Sequence, residues 1–207
     1  MVGWTTTPWT LTANCALAVN PDLTYVKVLF EGEKLVFGKD SLKILKVDAE
    51  ILEEFKGDKL VGLEYETMFP ELELQQFPHK IYAWDQVLAG EGSCVVHIAP
   101  GCGIEDFELG MENDIPAICP IDEQGVMLPS CGFIAGKKTT DVVEDVVNRL
   151  KADNKLLYSH KYKHSYAHCW RCKTDIVYKL ISTWYIKMDE IRPKLIEAIA
   201  KNIKEVK

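Results

Sequence analysis

The chain has 207 residues, 47% hydrophobic and 27% charged, a composition that buries a core without disulfide or metal staples and excludes a disordered chain. Its 24 basic and 31 acidic residues give a net charge of -7. That excludes a protein that coats nucleic acid by charge alone, but not one that grips a single nucleotide end. The length fits one to two domains. No run of about 18 apolar residues occurs, so no membrane partner is expected. Met1-Val2-Gly3-Trp4 does not read as a secretory signal. Seven cysteines, at 15, 94, 102, 119, 131, 169 and 172, contain a single Cys-x-x-Cys spacing, which points to a reducing, cytoplasmic setting rather than a disulfide framework.

Taken in chain order, the first third reads as β. Tyr25–Phe30 and Leu35–Phe37 are predicted strands around a Glu31-Gly32-Glu33-Lys34 turn. Val47–Phe55 carries helical spacing at Ile51, Leu52 and Phe55. Lys80–Trp84 and the apolar run Ser93–Ile98 are predicted strands. Pro100-Gly101-Cys102-Gly103 breaks the chain before a predicted helix from Ile104 to Asn113, with Phe107, Leu109 and Met111 buried. Ala117–Ile121 is a further candidate strand. The clearest helix runs from about Thr140 to Lys151. Its stripe is Val143, Val146, Val147 and Leu150, and Thr139, Thr140 or Asp141 is its cap. Leu156–Tyr166 and Ile176–Ile186 are β-like, and a closing helix carries Leu195, Ile199 and Ile203. The whole is a β-dominated α/β mixture without the regular alternation of a doubly wound fold.

Four constellations carry candidate chemistry. Trp4-Thr5-Thr6-Thr7-Pro8-Trp9-Thr10 offers uncharged hydroxyls suited to orienting water and binding sugar hydroxyls, and equally fits a strand rich in Thr. His97-Ile98-Ala99-Pro100-Gly101-Cys102-Gly103-Ile104-Glu105-Asp106 sets a His at a strand end and a carboxylate in the next helical turn. That fits a ligand site at a strand-to-helix junction, or a structural His and a capping acid. Its glycines do not make a nucleotide fingerprint. Cys169-x-x-Cys172 is one knuckle of a zinc site, with His160, His164 and His168 as candidate completing ligands, or a pair of unmetallated thiols. From Lys155 to Lys173 there is no acid, and Lys161, Lys163 and Arg171 alternate with Tyr158, Tyr162, Tyr166 and Trp170. This suits single-stranded nucleic acid or a solvated hairpin face.

These residues resemble a known family. W-T-T-T-P-W-T-L at 4–11 with Asn14, H-I-A-P-G-C-G-I-E-D at 97–106 and H-C-W-R-C-K-T at 168–174 are similar, in that order, to the editing (connective-peptide) domain of isoleucyl-tRNA synthetase, a class I aminoacyl-tRNA synthetase. The resemblance implies a β-barrel-like editing core with peripheral helices, at 1–157, and a return segment at 158–207. It implies hydrolysis of valine misattached to the isoleucine tRNA, with valyl-adenylate as a second candidate substrate. One missing methylene is worth only about 1–3 kcal/mol in a pocket, a limit for which valine against isoleucine is itself the standard example.

By the same resemblance, Asp106 binds the α-ammonium of the amino acid and His97 limits the pocket. Thr5, Thr6 and Thr7 surround the ester and the hydrolytic water. Asn14 is the site asparagine, and Trp4 and Trp9 wall the site. Direct attack by water is implied, with His97 as general base the competing assignment. No cofactor is implied for editing. Zinc at Cys169 and Cys172 belongs to the full-length enzyme, and ATP with magnesium to a synthetic site whose two signatures are absent here. The implied partners are the tRNA 3′ end, touched by Lys161, Lys163 and Arg171, and the rest of the synthetase chain; the domain is expected to be a monomer. Cys102 departs from the family, which often has His there, and Lys173-Thr174-Asp175 lacks the usual Pro. A non-catalytic docking module for the tRNA end, a zinc-ribbon interaction protein and an enzyme that edits in trans are the competing functions.

Overall fold

A computed structural model describes residues 1–45, 49–160 and 165–205. Val47 and Asp48, Lys161 to His164 (including Tyr162 and Lys163), and the side chain of Ile203 lie outside the described residues. The strands are β1 (Ala16–Val19), β2 (Thr24–Phe30), β3 (Glu33–Gly38), β4 (Glu50–Lys56), β5 (Glu64–Tyr65), β6 (His79–Ala83) and β7 (Val96–Ile98). The α-helices are α1 (Ile104–Glu112), α2 (Val143–Ala152) and α3 (Met188–Glu205).

Two sheets form, in the orders β5-β6-β1-β7 and β3-β2-β4. The core that the resemblance describes as barrel-like is thus two open sheets, with no closed barrel among the described residues, and the helices lie at the periphery. β1 is the centre of the first sheet. All four of its residues are buried, so its backbone groups need partners on both sides. β6 supplies them in parallel, from Ala16 opposite Lys80 to Val19 opposite Ala83. β7 supplies them antiparallel, with Leu17 opposite His97. Leu17, Val19, Ile81, Val95 and Ile98 fill the apolar cluster around this sheet. A second cluster, with Trp9, Phe69, Met127, Ile134, Val146 and Leu150, packs α2 under the irregular segments.

The β2–β3 hairpin forms as predicted, with Tyr25 opposite Gly38 and Phe30 opposite Glu33. Residues 50–56 do not follow their helical spacing. They form an edge strand, because β2 offers its free side to them from Thr24–Lys56 to Leu29–Glu50. Lys27 and Lys39 pair with Glu53 and Glu54 across this edge, at 3.6 and 2.8 Å. β7 is shorter than the apolar run because Cys94 takes φ 57° and bends the chain before it. Ala117–Ile121 is not a strand; only Ile121 bridges, to Met127. Met111 is 67% exposed rather than buried. On α2, Val146 and Leu150 are buried but Val143 is exposed. No side chain caps this helix, since the Thr140 hydroxyl donates to the Asp141 carboxylate instead.

The two β-like stretches near the C-terminus form no strand among the described residues; His168 and Asp175 make a single bridge there. No strand among the described residues pairs with 176–186, and Trp184 is fully exposed. The stripe of α3 is exposed as well, at Leu195 and Ile199. The segment still touches the body: the Leu180 N–H donates to the Gly101 carbonyl at 3.1 Å.

Gly101 is fixed by a close approach. A Cβ there would lie 1.9 Å from the Ile118 carbonyl oxygen, whereas at Gly3 it would meet nothing within 4 Å. Gly101→Ala is expected to lose at least about 2 kcal/mol of stability in urea unfolding, and Gly3→Ala to stay within about 0.5 kcal/mol of the parent.

Candidate active site

The two sequence motifs meet across one open cleft of about 420 Å³, within the size range of small-molecule sites. The threonine segment forms one wall. Pro8 opens a short 3-10 helix, Pro8–Ala13, whose residues from Trp9 onward are buried. The loop before it is tied to the helix by the Thr10 N–H, which donates to the Thr7 carbonyl at 3.1 Å. The Thr7 N–H donates to the Thr5 hydroxyl at 3.0 Å, and the Thr6 and Thr7 hydroxyls lie 3.5 Å apart. Thr5, Thr6 and Thr7 all line the cleft. Trp4, bridged to Val96, also lines it. Trp9 borders the cleft but is only 6% exposed and belongs chiefly to the second apolar cluster.

β7 and the segment leading into the first turn of α1 bring His97, Cys102 and Asp106 to the same cleft. The Asp106 carboxylate accepts the Ala99 N–H at 3.4 Å. Gly103 leaves room for it, since a Cβ there would lie 2.7 Å from Asp106 Oδ2. No basic side chain among the described residues pairs with this carboxylate. Burial pushes its pKa up from 3.8 to about 6, against the lowering by the Ala99 N–H; Glu105 adds to the rise. Burial also pushes the Cys102 thiol up, so it stands neutral beside Asp106.

His97 is locked through both ring nitrogens. Thr10 Oγ1 lies 2.8 Å from the Thr7 carbonyl oxygen and 3.0 Å from His97 Nε2. A carbonyl only accepts, so the single hydroxyl proton goes to Thr7, and Nε2 must carry the proton that Thr10 receives. Asn14 Nδ2 lies 2.8 Å from both the Ala16 carbonyl oxygen and His97 Nδ1. Both of its N–H groups donate, so Nδ1 accepts. The two ends agree on the neutral Nε2–H tautomer. Burial lowers the His97 pKa to about 4. Asn14 is fully buried and stands behind His97 instead of on the cleft wall.

The structure brings in residues that the sequence did not single out. Thr10 is one, although it ends the threonine motif. Tyr178 lines the cleft, and so does Tyr166, which the sequence offered only as part of a basic and aromatic run. Arg171 is exposed, with its guanidinium 5.1 Å from the centre of the Trp170 ring; Lys161 and Lys163 are among the residues not described. The Cys172 thiol is lowered to about 7, first by its hydrogen bond with Thr174, 3.0 Å away. No cluster of three metal-ligating side chains exists among the described residues. Cys169 and Cys172 therefore do not complete a four-coordinate zinc site there.

No family model matches the chain. Among solved structures it is similar to the domain described as GlLeuRS-CP1, with a TM-score of 0.63, 12% identity and coverage of 76% of this chain and 82% of that one. It is also similar to the editing domain of the P. falciparum cytosolic leucyl-tRNA synthetase, at TM-score 0.60 and 14% identity over 76% and 78%. The chain thus has the editing-domain fold of class I aminoacyl-tRNA synthetases. Its sequence relatives include isoleucine–tRNA ligase of Archaeoglobus fulgidus, 40% identical over 97% of this chain and 21% of that protein. That of Methanothermobacter marburgensis is 38% identical over 95% and 19%, and that of Chlamydia trachomatis 35% identical over 96% and 20%. Within the class, its homologues are isoleucyl-tRNA synthetases, of whose length it spans about a fifth. No described helix is long and apolar enough to cross a membrane.

The buried carboxylate links the site to stability. The folded pKa of Asp106 is raised, so the fold favours its neutral form. The penalty is absent below 3.8, grows as pH rises to about 6 and persists above. Asp106→Asn is expected to raise the melting temperature above pH 6, with the gain disappearing below 3.8 in a pH series of thermal melts.

Proposed function

We propose that the chain is a post-transfer editing domain that hydrolyses valine misattached to the 3′ end of the isoleucine tRNA, within a larger synthetase chain. One observation carries this reading: a desolvated carboxylate, Asp106, without a basic partner among the described residues, lines the same cleft as a loop of hydroxyls. A carboxylate in that state favours a small cation, and an aminoacyl ester carries an α-ammonium beside its reactive carbonyl.

In this reading Asp106 holds the ammonium, and the threonine hydroxyls orient a water against the ester carbonyl. The water oxygen bonds to the carbonyl carbon. The bond from that carbon to the ribose oxygen breaks, and the ribose oxygen takes up a proton given up by the attacking water. Valine and a free tRNA end result. The ester is already activated, so orientation and stabilisation of the developing oxyanion suffice. His97 serves as the wall against the larger isoleucine. Its Nδ1 lone pair is occupied by Asn14 and its Nε2 bears the proton given to Thr10, which argues against its acting as the base.

Valyl-tRNA and isoleucyl-tRNA are the substrates to compare. Release of valine but not isoleucine is expected, with kcat/KM about 10–100-fold lower in Asp106→Ala, the scale of one charged hydrogen bond. In the parent, kcat/KM is expected to fall as pH drops below about 6, where Asp106 takes up its proton. A small valyl-adenosine ester separates docking from chemistry. Failure to hydrolyse it as well overturns the reading.

A further inference from the structure

We infer that Tyr65 and Asn14 are positioning residues that set the tautomer and the placement of His97, through a hydrogen-bond relay running in one direction from β5 to the threonine loop. The inference deepens the proposed editing reading and rests on it for its selectivity arm.

The relay has four links. The Tyr65 hydroxyl donates to Asn14 Oδ1 at 2.6 Å. Asn14 Nδ2 donates to His97 Nδ1 at 2.8 Å. His97 Nε2–H donates to Thr10 Oγ1 at 3.0 Å, and the Thr10 hydroxyl donates to the Thr7 carbonyl at 2.8 Å. Each acceptor leaves its residue one way to donate onward, so reversing one link requires reversing its neighbours. The Ala16 carbonyl, 2.8 Å from Asn14 Nδ2, fixes which end of the amide is the nitrogen. The Tyr65 hydroxyl then occupies the oxygen that this orientation leaves. Tyr65 and Asn14 are both absent from the cleft wall, so neither is a catalytic residue in this account. Each acts through His97.

The relay does two things for the cleft. It keeps the imidazole neutral with Nδ1 filled, so the ring stays a wall and not a base. It also ties that wall to the carbonyl of Thr7, so the pocket limit and the hydroxyl loop keep one spacing. Loss of the Tyr65 hydroxyl leaves a buried Asn14 oxygen without its donor and loosens the ring. Asp at position 14 replaces the donor facing Nδ1 with an acceptor. His97 must then bring a proton to Nδ1.

Two-bond proton–nitrogen spectra of histidine-labelled protein read the tautomer directly, with the His97 signals assigned by His97→Gln. The parent is expected to show unprotonated Nδ1 and protonated Nε2. Asn14→Asp is expected to protonate Nδ1. Tyr65→Phe is expected to raise the ratio of isoleucyl to valyl ester hydrolysis by at least about fivefold, the scale of one lost hydrogen bond. Circular dichroism checks that each variant is folded; if Asn14→Asp is not, the parent spectrum alone decides the relay. A parent with protonated Nδ1, or a folded Asn14 variant with the parent's tautomer, overturns the relay. An unchanged ratio in folded Tyr65→Phe overturns the role of Tyr65 in selectivity. If the parent hydrolyses no valyl ester, the editing reading fails, while the spectra still decide the relay.

Discussion

Asn14 joins all four strands of the site sheet. Its amide donates to Ala16 of β1 and to His97 of β7, and it receives the hydroxyl of Tyr65 from β5. Its backbone carbonyl faces His79 Nε2 of β6 at 3.0 Å. An asparagine side chain offers two donors and an acceptor in one plane without charge. Asp would bring a charge into a buried place, and Leu would leave three polar partners without bonds. No buried side-chain nitrogen or oxygen among the described residues is left without a partner. The polar centre of this sheet is therefore compatible with a close-packed core. It converts the register of four short strands into the position of one imidazole.

That constraint also explains what could be read from the sequence. Features set by neighbours along the chain were legible. The β2–β3 hairpin follows from its turn residues and alternating apolar run, and α2 from its apolar spacing. The Pro100–Gly103 break and the acids of α1 follow from local backbone rules. Features set across the sheet were not. β1 is short, with alanine at two of its four positions, and gives little β signal. Tyr65 sits in a strand of two residues with no pattern to mark it. Its bond to Asn14 spans 51 positions, and the bond from Asn14 to His97 spans 83. Residues 50–56 show the converse: a helical spacing overruled by the free side of β2. The two site motifs were visible as sequences, but the sequence alone left His97 open as a base, because its tautomer is decided by Thr7 and Ala16 carbonyls elsewhere in the fold.

Asp106 is where local rules and burial oppose each other. A first-turn acid and a backbone N–H both favour the carboxylate form. Desolvation outweighs them and moves the pKa up to about 6. The absence of a side chain at Gly103 admits the carboxylate to that place. A fold selected for stability alone would pair this group or replace it. Its desolvated place on the cleft is what the proposed α-ammonium site asks of it.

The same charge bears on how an acidic domain could select among polyanionic tRNA ends. The chain carries -7 overall, and Asp106 adds a negative group inside the cleft that would receive the terminal nucleotide. Such a site gains nothing from phosphate. An end without an amino acid brings only hydroxyls and negative charge to it, whereas an aminoacylated end brings one ammonium beside the ester. In the proposed reaction, the attraction that admits the substrate is carried by the part that hydrolysis removes. Once the ester is cut, the ammonium leaves with valine, and the tRNA end loses its hold on Asp106. In that proposed reaction recognition and release follow from one carboxylate, with size selection left to His97 and the hydrogen bonds behind it.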